Sequence, residues 1–175
     1  MDAIGQKTTE ISTDVHFVTT QDLEYMYPDK TAREREQLIT EKYKSVFIMQ
    51  IGDLLASGKK HDGRAPDYDD WSLNGDIFLW HEGLKFGLEV SSMGIRVDKK
   101  ALLSQLAKAK CEDRKYLPFH KMLLEDKLPL TMGGGIGQSR LCMLLLQKRH
   151  VGEVQASIWP QQMRDDCEKQ GIYLL

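Results

Sequence analysis

The chain has 175 residues, of which 41% are hydrophobic and 29% are charged, and its formal net charge at pH 7 is −2. This balance is typical of a folded globular domain and excludes a disordered chain. The charge argues against a general nucleic-acid-binding protein, which needs a basic excess to neutralise phosphates. Because no apolar run approaches the roughly 20 residues of a membrane span and no secretion-signal pattern opens the chain, we expect a cytoplasmic protein without a membrane partner.

The cysteines give no sign of a metal or disulfide framework. Cys111, Cys142 and Cys167 are few, odd in number and far apart. We therefore expect free thiols, with Cys142 packed as a small hydrophobe inside an apolar helix.

Apolar periodicity predicts the elements of the first part of the chain. Alternating or continuous apolar runs indicate strands, and apolar residues at three- and four-residue spacing indicate helices. After a flexible start over 1–13, we predict a strand over 14–19, a short helix capped by Thr20 and ended by Pro28, a charged helix over 31–44 and a buried strand over 45–52. The connection over 58–71 is rich in Gly, Pro and Asp, and connections this long are usually functional.

The second part of the chain predicts a hairpin, four helices and a last strand. In order, these are strands over 76–80 and 85–97 joined by 81–84, a helix over 98–114 capped by Asp98, a short helix over 118–127, a helix after Gly137, a strand over 153–159 and a helix from Pro160. Strands and helices mix without regular alternation. The prediction is one α+β domain over 14–175, with a mainly antiparallel sheet flanked by helices.

Thr131–Gln147 joins a glycine cluster to an apolar run. The glycines at 133, 134, 135 and 137 predict a turn with positive φ that a flat or anionic group can approach closely. The run after it predicts a helix buried over most of its surface, with Arg140 in its first turn. A cation there opposes the helix dipole, so we expect a bound anion or a carboxylate nearby. The alternative is a structural turn with a surface arginine, and the sequence fits neither a P-loop nor a dinucleotide fingerprint.

The predicted hairpin brings two carboxylates together. Closed through His81–Leu84, its register places Asp76 opposite Glu89. Like charges at facing positions destabilise a sheet. We therefore expect a divalent cation, a shared proton or a cationic substrate between them.

A single site along the second strand requires a break in its alternation. Strict alternation places Ser92 and Arg96 on the face opposite Glu89, and places Ser91 on the Glu89 face. A common site therefore needs a bulge, which we predict at Gly94. The alternative is a surface hairpin with scattered polar residues.

Four motifs in this order resemble the ammonia-dependent asparagine synthetase (aspartate–ammonia ligase) family. They are RAPDYDDW at 64–71, LNGDI at 73–77, LEVSSMGIRV at 88–97 and GGGIGQSRL at 133–141. The resemblance extends from about Val15 to Trp159 and implies the catalytic fold shared with class II aminoacyl-tRNA synthetases. It covers the carboxyl-terminal half of the family's chain, and the link from Trp71 to Leu73 is shorter than the family's usual flexible loop.

The resemblance implies a reaction and its partners. ATP activates the β-carboxylate of L-aspartate as an acyl-adenylate, pyrophosphate leaves, and ammonia attacks to give L-asparagine and AMP, with Mg²⁺ as the metal. The chain is expected to act as half of a catalytic unit, in a homodimer or with an amino-terminal half. One alternative is an inactive nucleotide-binding or regulatory relic. Another is a tRNA-charging enzyme of the same fold, which the acidic charge and the lack of an anticodon-binding module disfavour.

The resemblance also implies roles for individual residues. Asp76 and Arg140 are expected to be catalytic, and Asp76 and Glu89 to hold the metal. The residues expected at ATP are Arg64, Glu89, Ser92, Gly135 and Arg140. Those expected at aspartate are Asp69, Ser91 and Arg96. The arginines suit these roles because a guanidinium can grip a carboxylate or phosphate with two hydrogen bonds.

Overall fold

A five-stranded sheet forms the framework of the protein. The computed structural model describes residues 11–175, so residues 1–10 of the predicted flexible start lie outside the described residues. The strands lie in the sheet in chain order, and they are β1 (His16–Thr19), β2 (Ser45–Met49), β3 (Asp69–His81), β4 (Phe86–Arg96) and β5 (Met132–Ile136). β1 and β2 are parallel, and all other neighbours are antiparallel. The predicted α+β fold with a mainly antiparallel sheet is confirmed.

Helices flank this sheet. They are α1 (Thr20–Met26), α2 (Ala32–Tyr43), α3 (Lys99–Lys108), α4 (Pro118–Leu124), α5 (Gln138–Leu145) and α6 (Gln161–Lys169), with 3₁₀ helices at Glu112–Tyr116 and Val151–Glu153. The predicted Asp98 cap is confirmed, and Thr31 and Glu34 form a capping box at α2. α1 is capped by Thr19 rather than by Thr20. Within residues 11–175, none of these helices has the length and apolarity to cross a membrane.

Three apolar clusters hold the helices to the sheet. The first packs α1 and α2 against β1, β2 and β3 and consists of Val18, Leu23, Ile39, Val46, Ile48 and Phe78. The second packs α5 on the β3–β4 hairpin and consists of Leu79, Leu88, Val90, Met143 and Leu144. The third joins the end of β4 to α3 and α4 and consists of Val97, Leu102, Leu106 and Leu123. Because a buried aliphatic side chain contributes about 1.5–3 kcal/mol, these clusters fix the helix positions.

The hairpin between β3 and β4 has a different register from the predicted one. His81 pairs with Phe86, so Glu89 lies opposite Phe78, and Asp76 lies opposite Ser92. The predicted pairing of Asp76 with Glu89 is therefore wrong. The cause is that His81 belongs to the strand: its ring is fully buried, and its Nδ1 accepts a hydrogen bond from the Leu84 amide at 3.1 Å.

The predicted break in alternation exists, but at Val90 rather than at Gly94. Ile77 pairs with Ser91 and the next residue of β3 pairs with Glu89, so Val90 has no partner in the ladder. Val90 and Ser91 both line the apolar side of the sheet. The bulge thereby returns Ser92 to the face that carries Glu89.

The long predicted connection is partly a strand. β3 begins at Asp69, which pairs with Arg96, and regular pairing resumes at Asn74 after an irregular stretch. The Asn74 side chain ties this point of β3 to Ile51. Its Oδ1 accepts a hydrogen bond from the Ile51 N–H, and its Nδ2 donates one to the Ile51 carbonyl, both at 2.8 Å.

The glycine cluster is a strand and not a turn. The glycines at 133, 134 and 135 lie in β5, and none of these or Gly137 has a positive φ in the described part of the chain. Gly133 and Gly134 leave space for their neighbours: a Cβ on Gly134 would lie 2.6 Å from the Met93 Cβ, and one on Gly133 would lie 2.8 Å from Arg96 Nη2. The groups that approach Gly133 and Gly134 closely belong to β4, and the expected approach of a flat or anionic ligand stays a prediction.

Three further predictions differ from the structure: the burial of α5 with Cys142, the strand over 153–159 and the length of the 98–114 helix. α5 is buried on one side only, through Met143 and Leu144, and Cys142 is exposed rather than packed. No strand forms over 153–159 in the described chain, where a 3₁₀ helix capped by His150 is followed by irregular chain. The predicted 98–114 helix ends at Lys108, and Lys110 has a φ of 56°. The three cysteines are free, as predicted.

Gly134→Ala should destabilise the protein by about 1–3 kcal/mol, the usual cost of overpacking a close contact. The new Cβ would meet the Met93 Cβ and, at 2.8 Å, the Ser92 carbonyl oxygen, and neither backbone-fixed atom can move away easily. Urea unfolding measures the effect. The matched control is Gly135→Ala, since no atom lies within 4 Å of a Cβ there. Equal stabilities of the two variants would contradict the packing role of Gly134.

Candidate active site

Asp76 and Arg64 form the buried part of the site. The Asp76 side chain is buried on β3, and its Oδ2 forms a close ion pair with Arg64 Nη2. Arg64 Nη1 also donates to the Asp62 carboxylate at 2.5 Å and to the Gly63 carbonyl at 3.0 Å. Asp76 Oδ1 is buried without a hydrogen-bond partner in the described structure. One oxygen of this buried carboxylate is therefore left unpaired.

Arg140 and Glu89 form the exposed part. Arg140 Nη1 donates to the Glu89 backbone oxygen at 3.0 Å and lies 3.6 Å from the carboxylate Oε1. This carboxylate explains a cation in the first turn of α5. Burial, and then the charge of Asp76, raise the pKa of Glu89 above its ordinary value, while Arg140 and Arg64 oppose the rise. The two carboxylates thus interact electrostatically although they are not cross-strand partners.

Arg96 lies farther along the same face of β4. Its Nη1 forms a close ion pair with Asp69, its Nη2 donates to the Tyr68 hydroxyl at 3.0 Å, and its guanidinium centre lies 4.0 Å from the Tyr68 ring centroid. Gly133 leaves the room that this guanidinium occupies. A cation, a carboxylate and a phenol therefore meet at one place.

The pairing of β4 with β5 fixes the positions of Ser91, Ser92 and Gly135. Ser92 lies directly opposite Gly135, on the face of the carboxylates. Ser91 is buried on the other face, where its hydroxyl donates to the Gly135 carbonyl at 2.9 Å. The structure thus brings all the predicted site residues to one face of β3, β4 and β5 except Ser91.

A cavity of about 500 Å³ opens beside Glu89 and Arg140. Its walls include two residues that the sequence analysis missed, Glu36 of α2 and His61. The buried His61 ring bonds Glu36 Oε1 through Nε2 at 3.0 Å. In the sequence, the only feature that could have pointed to His61 is its position three residues before the RAPDYDDW motif. Glu36 lies in a charged helix, where nothing distinguishes it from the other charged residues.

The loop that carries Arg64 and leads into β3 at Asp69 is held by α3, by α4 and by the 3₁₀ helix Glu112–Tyr116. The Gln105 amide donates to the Pro66 and Asp69 carbonyls at 3.0 and 3.1 Å. Asp67 accepts from His120 Nε2 at 2.9 Å and from Arg114 Nη1 at 3.1 Å. These contacts fix a loop that has little apolar packing of its own.

Comparison with known proteins decides the family. A family model described as aspartate-ammonia ligase matches residues 2–171. The chain belongs to the aspartate–ammonia ligase family. An aspartate–ammonia ligase from Clostridium tetani is 63% identical over 162 residues, which are 93% of this chain and 48% of that protein. One from Lactobacillus acidophilus is 62% identical over 169 residues, 96% of this chain and 50% of that protein.

Solved structures show the class II synthetase fold. Entamoeba histolytica asparaginyl-tRNA synthetase in complex with asparaginyl-adenylate matches with a TM-score of 0.57 at 16% identity, over 85% of this chain and 35% of that one. The Pyrococcus horikoshii enzyme complexed with asparaginyl-adenylate matches with a TM-score of 0.53 at 14% identity, over 85% and 36%. The predicted family and fold are confirmed. The chain spans about half the length of the curated aspartate–ammonia ligases that it matches.

Asp67→Asn should destabilise the protein at pH 7 by about 1–3 kcal/mol, because hydrogen bonds to a charged group are lost. Burial alone raises the pKa of Asp67, but the hydrogen bonds from His120 and Arg114 outweigh it and hold the pKa below its ordinary value. This contribution is present above the unfolded-state pKa of about 3.9 and is lost as pH falls through the lower folded-state pKa.

Urea unfolding at pH 7 and near pH 3 measures the difference, which should shrink at the lower pH. The exposed Asp29 gives the matched control, Asp29→Asn, which should unfold like the wild type. An equal loss for Asp67→Asn at both pH values would contradict the ionic role of Asp67.

Proposed function

We propose that this chain forms half of the catalytic unit of an aspartate–ammonia ligase. The unit joins ammonia to the β-carboxylate of L-aspartate and converts ATP to AMP and pyrophosphate through an aspartyl-adenylate. The observation that carries the proposal is the convergence of three arginine–carboxylate pairs on one sheet face: Arg64 with Asp76, Arg140 with Glu89, and Arg96 with Asp69. Family membership supplies the reaction.

Arg64 and Arg140 are suited to bind the phosphates and the nucleotide. Each is held by a carboxylate in the described structure, and a guanidinium can also donate two parallel hydrogen bonds to two oxygens of a phosphate. Arg140 borders the cavity beside Glu89, and its side chain is 54% exposed, so it can turn toward a bound nucleotide. Positive charge placed there stabilises the leaving pyrophosphate.

Asp76 and Glu89 have the donor chemistry for Mg²⁺. The free, buried Oδ1 of Asp76 and the raised pKa of Glu89, which is due to burial and to Asp76, both indicate a place that a hard cation would stabilise. Residues 11–175 contain no group of three or more His, Cys, Asp or Glu side chains arranged for a metal. The other ligands would therefore come from phosphate and water. When bound, Mg²⁺ would neutralise phosphate charge.

Arg96 and Asp69 are complementary to a free amino acid. A guanidinium can take a substrate carboxylate, and the adjacent Asp69 carboxylate can take the substrate ammonium. Tyr68 covers the Arg96 guanidinium and limits its motion. Ser91 lies on the other face of β4, so its proposed role at aspartate would be exerted through the Gly135 carbonyl that it bonds.

A second candidate is an inactive relic that binds nucleotide without turnover. The homodimer, the lack of a nucleic-acid partner and the cytoplasmic location stay predictions.

Asparagine synthesis is the direct test. Purified chain should give little asparagine from aspartate, ATP, Mg²⁺ and ¹⁵N-ammonium, detected by mass spectrometry. Adding the half of the C. tetani ligase that this chain does not match should give labelled asparagine and AMP in equal amounts. ATP binding without AMP formation in the mixture would favour the relic. Full turnover by the chain alone would contradict the half-unit.

Arg140→Ala should weaken ATP binding by about 10- to 100-fold, since one charged hydrogen bond contributes about 1.5–3 kcal/mol. Arg140→Lys should lose less, because it keeps the charge but not the planar fork. Arg96→Ala is the matched control and should bind ATP like the wild type. Calorimetry with Mg²⁺ measures all four proteins. Equal affinity of both Arg140 variants and the wild type would leave Arg140 with a structural role only.

A further inference from the structure

α2 forms one wall of the cavity that Glu89 and Arg140 border. Phe78 lies two residues beyond Asp76 in β3, so both side chains leave the same face of the sheet. Because Phe78 is buried together with Ile39 of α2, the helix covers this face next to the carboxylates. The cavity, of about 500 Å³, thus lies between α2 and the first residues of β4.

One side of α2 supplies polar side chains to this cavity. Arg33, Glu36 and Gln37 are spaced at three and four residues and therefore lie side by side on the helix. Gln37 attaches the helix to β4: its Nε2 donates to the Gly87 carbonyl at 3.0 Å, and its Oε1 accepts from the Gly87 N–H at 2.6 Å. These two hydrogen bonds fix the position of Glu36 beside the cavity.

Glu36 holds His61, whose ring also lines the cavity. Glu36 Oε1 lies 3.0 Å from His61 Nε2, and the His61 side chain is 1% exposed. An ionised carboxylate only accepts hydrogen bonds, so Nε2 carries the proton of this bond. The other ring nitrogen, Nδ1, is buried without a partner in the described structure. Native proteins rarely leave such an atom unpaired, which indicates that a further group bonds His61 here.

The charges around the cavity favour an anion as this group. The charged side chains that line it besides His61 are Arg33 and Glu36 of α2, Asp62, Glu89 of β4 and Arg140 of α5. Asp62 and Glu89 are each paired with an arginine, and Glu36 is paired with His61. In the described part of the chain, the Arg33 guanidinium lies 5.4 Å from the Phe86 ring centroid and pairs with no carboxylate. A guanidinium and an imidazolium at one cavity suit a phosphate.

The place of the cavity indicates which phosphates bind there. Arg96 and Asp69, which we propose for aspartate, meet at one end of β4, and the cavity borders its other end. The α-phosphate must meet the aspartate, so the other two phosphates can extend toward the cavity. We propose that His61 binds the β- and γ-phosphates of ATP by donating a hydrogen bond from Nδ1. The inference rests on the proposed function and adds a residue to it.

His61 would act on the leaving group of the adenylation step. In that step a β-carboxylate oxygen of aspartate bonds the α-phosphorus, and the bond from this phosphorus to the bridging oxygen breaks. The electron pair goes to the bridging oxygen, so pyrophosphate leaves with more negative charge than it had in ATP. A hydrogen bond from a cationic ring stabilises this charge. Glu36 on the other side of the ring keeps the imidazole oriented for it.

The proposal requires a proton at His61 Nδ1. Because Nε2 already gives its proton to Glu36, a neutral ring presents a lone pair at Nδ1, which repels a phosphate oxygen. Phosphate binding therefore takes up a proton wherever the free ring is neutral. A residue that only supports the fold would not produce this uptake.

Calorimetry of the chain with Mg²⁺–pyrophosphate and with AMP tests the proposal, and buffers of different ionisation enthalpy count the protons. His61→Asn should weaken pyrophosphate binding about tenfold, the loss expected for one charged hydrogen bond, and should leave AMP binding unchanged. At the upper end of the range from pH 6 to 9, the wild type should take up as much as about one proton more than this variant. Glu36→Gln keeps a hydrogen-bond acceptor but removes the charge, so it should weaken pyrophosphate binding less.

The matched control is His16→Asn, because the half-buried His16 stacks on Tyr43 outside the cavity. It should bind pyrophosphate like the wild type, with the same proton uptake. Thermal melts show which variants are folded. If His61→Asn does not fold, Glu36→Gln decides, since Glu36 lies at the cavity wall and its side chain is 19% exposed.

Three results would overturn the proposal: no pyrophosphate binding by the wild type, equal affinity and proton uptake in wild type and His61→Asn, or equal weakening of AMP and pyrophosphate. Failure of the proposed function looks different. Pyrophosphate binding that depends on His61, with no labelled asparagine after the C. tetani half is added, supports the phosphate site and contradicts the reaction. Asparagine synthesis at the wild-type rate by His61→Asn contradicts the role of His61 and supports the reaction.

Discussion

The bulge at Val90 is the constraint on which the site depends. Side chains alternate along a strand, so one extra residue in β4 moves every later side chain to the other face. We call the sheet face that carries Asp76, Glu89 and Arg96 the charged face. Glu89 and Ser92 share it only because Val90 has no partner in the ladder. Without the bulge, Ser92 and Arg96 would project into the apolar side, where charge is costly.

The charges on the charged face are paired with one another. Each of the three motif arginines is paired with a carboxylate, and a partly buried charge without a partner would be destabilising. The pairs hold the guanidinium groups near the positions where phosphate and carboxylate ligands are proposed to bind. Ligand binding then exchanges one anionic partner for another, which costs less than ordering free side chains.

Support for this face comes from distant parts of the chain. The RAPDYDDW loop is fixed by Gln105 and His120, which lie in α3 and α4. His61 approaches the cavity from the start of the loop and is held by Glu36 of α2. The site is therefore shaped by α2, α3 and α4, and a change in α3 or α4 can act on the loop without touching a ligand.

Local chemistry in the sequence determined the family, the fold class, the Asp98 helix cap and most of the charged residues at the candidate site, because motifs and caps depend on neighbours within a few positions. It did not determine the hairpin register, the place of the bulge or the strand formed by the glycines, since each depends on contacts between distant segments. His81 set the register through its burial, and Met93 gave the β5 glycines their packing role. The partnerships of Asp67 and His61 also lacked a local signal, because their partners lie more than twenty residues away. Only the tertiary structure brings such residues together and decides which face each one occupies.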